Sequence, residues 1–146
     1  MSGSVFLDTN VLVYAIETGG PRPGKSAAAL ALARREDVCL STQVLGEFYC
    51  AVTSRRRAVP LTHSEAIAWV QVWKRHDVRE ITVPHVDLAL ELTARYQVSY
   101  SDALVLAAAH LAGCEVVFSE DLNAGQDYAG VRVENPFLPG ALRRER

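Results

Sequence analysis

The sequence predicts an α/β fold, a mostly parallel sheet with helices on both faces, built as one domain over residues 1–146. Three observations predict it. Short apolar runs, VFL at 5–7 and EVVF at 115–118, have the composition of strands buried on both faces. Stretches of helical period stand between the candidate strands, and strands alternating with helices imply parallel neighbours joined by crossovers. Loop and cap signals, GGPRPG at 19–24 and THSE at 62–65, punctuate the alternation.

The elements follow in order. Residues 5–7 form the first strand, 11–17 a short helix, 25–35 a second helix and 38–40 a strand. Ser41 or Thr42 caps a third helix, which carries Glu47 and runs to Arg55, Arg56 and Arg57 before Pro60 ends the element. The segment THSE, with Thr62 and Glu65 three apart, has capping-box spacing and opens a helix bearing Trp69 and Trp73. A short strand is expected at 80–83, helices at 85–96 and 102–111, a strand at 115–118, a turn at 127–130 and a last strand at 131–134. The segment ALVLAAAHLA is apolar almost all round, which places its helix centrally in the fold.

Composition narrows the function classes. An apolar share of 49% is ordinary for a globular chain, and no apolar run approaches the ~18 residues of a membrane span. The start, MSGSVFLD, lacks a basic n-region, so a cytoplasmic protein is expected. Cys39, Cys50 and Cys114 form no CxxC and lie in apolar stretches, where thiols act as small buried hydrophobes. The four histidines show no HExxH or His–Cys spacing, which argues against zinc. A net charge of −2 excludes strong nonspecific attraction to nucleic acid but not a nucleic-acid substrate, because a bound divalent ion reverses the sign locally. The run Arg55 to Arg57 suits phosphate or a partner's carboxylates, and equally a solvated helix end.

The informative residues are four acids. Asp8 follows the first strand and Asp121 the 115–118 strand, and in open α/β sheets chemistry gathers beyond the carboxyl ends of strands. Glu47 and Asp102 lie near the starts of helices. Each has an ordinary structural reading. Asp8 is a good N-cap, Ser99 to Asp102 has capping-box spacing, Glu47 suits a solvated helix face, and Asp121 or Glu120 suits the start of a turn. Gly46 beside Glu47 suggests a close approach, since glycine within a helix costs about 1 kcal/mol against alanine. Jointly, the ordinary readings explain less well why two strands and two helices all deliver acids to one region. Two carboxylates ~4 Å apart repel by roughly 4 kcal/mol at an effective dielectric of ~20. Hard carboxylate oxygens in such a cluster suit Mg²⁺ or Mn²⁺.

At these residues the chain resembles a PIN-domain protein, specifically a VapC-type ribonuclease toxin of bacterial VapBC toxin–antitoxin systems. The resemblance rests on VFLDTNVLVYA, STQVLGEFY around Glu47, YSDALVLAAAHLAGCEVVFSEDL and the terminal GVRVENPF, in that order over nearly the whole chain. It implies a PIN-like three-layer α/β/α sandwich and a metal-dependent endoribonuclease. Asp8, Glu47, Asp102 and Asp121 would hold Mg²⁺ or Mn²⁺, with Asn10 and Ser119 in support and Asp121 the least certain direct ligand. It also implies an RNA substrate, a homodimer and a cognate antitoxin seated on a groove around 48–52 and 67–73, where Trp69 and Trp73 would anchor a partner helix or pack in the core. RNA bound across that region would meet Arg55 to Arg57.

Two rivals are weaker. A haloacid-dehalogenase-like phosphatase needs a second aspartate where this chain has Asn10, and a motif lysine where it offers only Lys25 and Lys74. A catalytically silent PIN-like binding module would not need the full acidic set.

Overall fold

The computed structural model describes residues 4–139. In chain order these form β1 (Val5–Leu7), α1 (Thr9–Ala15), α2 (Pro23–Ala33), β2 (Val38–Ser41), α3 (Thr42–Thr53), α4 (His63–Trp73), β3 (Asp77–Arg79), α5 (Val83–Tyr96), α6 (Tyr100–Leu111), β4 (Val116–Phe118), β5 (Asp127–Tyr128) and β6 (Val131–Glu134). The strands make one sheet in the order β3-β2-β1-β4-β6-β5. Every pairing is parallel except the β5–β6 hairpin. β1 and β4 are buried at every position, as continuous apolar runs between two helical layers must be.

This strand order places the site. From β1 the chain steps outward through β2 to β3, then returns to the other side of β1 as β4. Right-handed crossovers in opposite directions put α1 to α4 on one face and α5 and α6 on the other. α6 packs across β2, β4 and β6. It is buried from Ala103 to Ala109, which fulfils the expectation of a central helix. The direction reverses between β1 and β4, and a crevice opens at their carboxyl ends. There the amide of Asp8 donates to the Phe118 carbonyl at 3.0 Å, tying the two strand ends together.

Several boundaries differ from the sequence reading. α1 starts at Thr9 rather than 11, because the Asp8 carboxylate caps the Thr9 amide at 2.7 Å. α2 starts at Pro23, whose fixed φ suits a first helical turn, and α6 starts at Tyr100 behind the Ser99 cap. The strand expected at 80–83 lies earlier, at Asp77–Arg79. It is an edge strand with two exposed residues of three, so it has no apolar run to announce it. The β-branched residues at 81–83 instead lead into α5, where Pro84 sits in the first turn and the Thr82 amide donates to His85 Nδ1. The 127–130 turn contains a strand of its own. Tyr128 pairs with Val131 across a two-residue loop, and Ala129 (φ 55°) and Gly130 (φ 95°) both take the left-handed backbone of a tight hairpin. α3 ends at Thr53, so the arginine triplet lies in the turn that follows rather than on the helix.

The core corrects three side-chain expectations. Cys39 and Cys114 are buried, but Cys50 is exposed on α3. Phe48 and Val52 are core residues and do not line a surface groove, while Trp73, edge to face with Phe48 at 5.8 Å, takes the core packing that was one of its two expected places. Trp69 is half-buried and stacks on Trp73 at 5.5 Å. A Cβ at Gly46 would meet nothing within 4 Å, so no close approach within this chain explains that glycine.

Candidate metal and active site

Three elements that end or begin at the crevice bring the expected acids together. Asp8 leaves β1 and caps α1, Asp102 lies in the first turn of α6, and Asp121 follows β4. Glu47 reaches in from the middle of α3. Asp8 is 5% exposed, Glu47 and Asp102 are half-buried, and Asp121 is exposed.

Asp8 is the most constrained. One oxygen accepts from the Thr9 amide, and the other from Ser119 Oγ at 2.7 Å. Burial pushes its carboxyl up to about 6 from the usual 3.8; the Ser119 and Thr9 hydrogen bonds offset part of that rise, and Asp121 and Asp102 add to it. Asp102 is also raised, first by burial and then by Asp121 and Glu47, against the stabilising Ser99 contact. The four acids therefore feel one another electrically, Asp8 through Asp121 and Asp102, and Asp102 through Asp121 and Glu47.

Asn10 and Ser119 organise the far wall. Asn10 Nδ2 donates to Asp121 Oδ2 at 3.2 Å and to Ser119 Oγ at 3.4 Å, and Asn10 Oδ1 accepts from the Glu120 amide at 3.3 Å. Ser119 Oγ accepts from the Asp121 amide at 3.1 Å while donating to Asp8. One asparagine and one serine thus fix the positions of two acids.

Sequence reasoning missed the residues that hold Glu47. Thr9 Oγ1 donates to it at 3.2 Å, Gln43 Nε2 at 3.2 Å and Ser101 Oγ at 2.9 Å. Gln43 was legible, since it stands four residues before Glu47 on the same helix face. Thr9 and Ser101 were adjacent in sequence to predicted acids, but only the fold aims them at Glu47.

The choice between Glu120 and Asp121 is decided by contacts. Glu120 Oε2 pairs with Lys25 Nζ at 2.5 Å and its Oε1 accepts from Tyr14 OH at 2.8 Å. Burial works against its charge, but the Lys25 and Tyr14 contacts hold the Glu120 carboxyl below its usual range. Glu120 is thus neutralised within the protein, whereas Asp121 forms no ion pair among the described residues.

Among the described residues, no lysine, arginine or histidine forms an ion pair with Asp8, Glu47, Asp102 or Asp121. The donors to Asp8, Glu47 and Asp121 are all neutral. No three His, Cys, Asp or Glu side chains among the described residues already stand in metal-holding geometry. The donor set nevertheless fits a hard divalent cation: oxygen-only, net negative, and raised in pKa where buried. Asp121, Thr9 and Asn10 open onto a cleft of about 370 Å³ completed by Val13, Tyr14, Arg22 and Ala51. Among the described residues no helix is long and apolar enough to cross a membrane.

The model of the PIN domain family matches residues 5–126, a span that contains all four acids. Among curated proteins no relative matches. Among solved structures, a sarcin–ricin-loop-cleaving VapC toxin from Mycobacterium tuberculosis is similar at 26% identity and TM-score 0.63, covering 81% of this chain and 92% of its own. A toxin–antitoxin complex from Klebsiella pneumoniae gives 19% identity and TM-score 0.64 over 92% of this chain and 98% of that one. A DNA-bound VapBC from Salmonella typhimurium gives 19% and 0.63 over 91% and 98%. The last two likenesses carry the fold.

Proposed function

This chain belongs to the PIN-domain family, and on that premise we propose that it is a metal-dependent endoribonuclease, the toxin of a type II toxin–antitoxin pair. The observation that carries the reading is the set of four carboxylates at the β1–β4 crevice, none paired with a cation among the described residues and three of them, Asp8, Glu47 and Asp121, held by neutral donors. The similarity to a sarcin–ricin-loop-cleaving toxin supports RNA as the substrate class.

Asp8, Glu47, Asp102 and Asp121 would hold Mg²⁺ or Mn²⁺. When bound, the ion supplies Lewis acidity toward a phosphoryl oxygen and toward water. The chain's own residues do the positioning. Ser119 and the Thr9 amide hold both oxygens of Asp8, and Asn10 holds Asp121, so neutral donors orient these two carboxylates. Glu47, less buried and anchored by three neutral donors, is suited to complete the donor shell or to orient an attacking water. In-line hydrolysis of a phosphodiester needs no covalent intermediate on the protein, and no cysteine or serine nucleophile–base pair is required.

A cognate antitoxin, which the likeness to toxin–antitoxin complexes supports, and a homodimer complete the proposal. The antitoxin would cover the acidic crevice rather than the buried Phe48, Val52 and Trp73.

The test is cleavage of total bacterial RNA by purified, antitoxin-free protein with Mg²⁺, with Mn²⁺ and with EDTA, beside Asp8→Asn. Discrete fragments that require both the metal and Asp8 are expected. Fragments that survive Asp8→Asn at full rate would overturn the proposed site, and none from folded, metal-loaded protein would favour a silent binding module.

A further inference from the structure

A second cleft, of about 470 Å³, adjoins the one onto which Asp121 opens. It lies between the α1–α2 loop (Glu17, Gly19, Gly20, Pro21, Arg22) and the turn after α3 (Arg56, Arg57, Val59), and Arg22 lines both clefts. Its charge is opposite to that of the acids. Three guanidiniums face one carboxylate, Glu17, in a chain whose net charge is −2.

Two of the arginines, Arg22 and Arg57, are held by Glu17. Arg22 Nη2 bonds both oxygens of Glu17, at 3.0 and 3.3 Å, and its guanidinium lies 4.8 Å from the Tyr14 ring centroid. Arg57 Nη2 approaches the same Glu17 at 3.6 Å and is largely covered, while Arg56 is exposed. One carboxylate therefore positions two guanidiniums, and the half-exposed Arg22 and the exposed Arg56 present donors to the cleft. Guanidinium forks match phosphate oxygens bidentately.

We propose that this cleft is a phosphate-binding subsite for single-stranded RNA, holding the backbone beside the scissile phosphate, with Arg22 as the shared wall between subsite and acids. The inference rests on the nuclease reading. A ligand spanning both clefts must suit arginines on one side and, on the other, Asp121, one of the four carboxylates that would hold the cation. A phosphodiester chain suits both, whereas an acidic peptide suits only the arginines.

The experiment uses fluorescein-labelled oligo(U) of twelve nucleotides, measured by anisotropy against the full chain carrying Asp8→Asn, over a series of KCl concentrations. Each phosphate contact removed lowers the slope of log Kobs against log salt by about 0.7 for a single strand. Arg56→Ala is expected to lower it by about one such step and Arg56→Ala with Arg57→Ala by about two, with Arg75→Ala, outside the cleft, leaving it unchanged. The exposed Arg56 alone decides if the double variant loses its fold by circular dichroism. Unchanged slopes and affinities in Arg56→Ala would overturn the subsite, as would a glutamate decapeptide competing as well as unlabelled oligo(U). Cleavage by the wild-type protein is scored separately. If RNA is cut but the slopes do not move, the subsite fails and the nuclease stands; if the slopes fall but nothing is cut, the cleft binds RNA and the nuclease reading fails.

Discussion

Glu120 and Asp121 are neighbours in sequence with opposite surroundings. Glu120 turns toward α1 and α2, where Lys25 and Tyr14 neutralise it. Asp121 turns toward the crevice, where among the described residues its side chain is hydrogen-bonded by the neutral amide of Asn10 and it shares a field with Asp8 and Asp102. The pair shows what separates a structural acid from a candidate ligand in this fold. The protein supplies a cation to the first and leaves the second, with its three companions, short of positive charge. A divalent ion would end that shortage.

The largest expected effect that sharpens the comparison is on turnover. Asp8→Asn should lower metal-dependent RNA cleavage by more than about 100-fold, while Glu120→Gln stays within a few-fold of wild type. Equal losses in the two variants, measured as initial rates on one RNA, would break the distinction. Next comes Ser119→Ala, which removes the donor to Asp8 and an acceptor from both Asn10 and the Asp121 amide. It should weaken Mn²⁺ binding by roughly 10–100-fold without unfolding the chain.

An effect of similar size follows from the titration of Asp8 in metal-free protein. Its carboxyl is raised to about 6 when folded, against 3.8 for an ordinary aspartate, so the folded state binds the proton more tightly. That contribution to stability is fully present below about pH 4 and is lost as pH rises through 6, a change on the order of 2–3 kcal/mol. In EDTA the melting temperature should carry this downward component between pH 4 and 6, and Asp8→Asn should lack it. Asp102→Asn, metal-free and near neutral pH, should likewise be no less stable than wild type; a large loss would mean that its helix-start role outweighs the repulsion it feels. Smallest of all is Glu120→Gln in thermal melts. The pair it breaks is partly exposed on both sides, so the cost should be about 1 kcal/mol or less.

Much of the site was legible because strand ends and helix starts are legible. VFL before Asp8 and VVF before Ser119 are fully buried runs, and their shared register (Val5 with Val116, Leu7 with Phe118) brings both ends to one crevice. What was not legible depended on distant partners. The fate of Glu120 is set by Lys25, 95 residues away, and no local pattern reports it. β3 escaped because an edge strand needs no apolar run, and the β-branched residues after it imitate a strand while serving as a helix entrance. Gly46 suggested contact, yet open space surrounds it. Gly46→Ala should therefore stabilise α3 by up to about 1 kcal/mol in thermal melts, unless a bound partner occupies that space.

The central claim is that the unneutralised acids, and not their neutralised neighbour, bind the cation. Calorimetric titration of Mn²⁺ into wild type, Asp8→Asn and Glu120→Gln at pH 7.5 tests it directly. The account predicts saturable binding to wild type and Glu120→Gln and its loss in Asp8→Asn. Equal binding to all three proteins, or loss with Glu120→Gln alone, would contradict it.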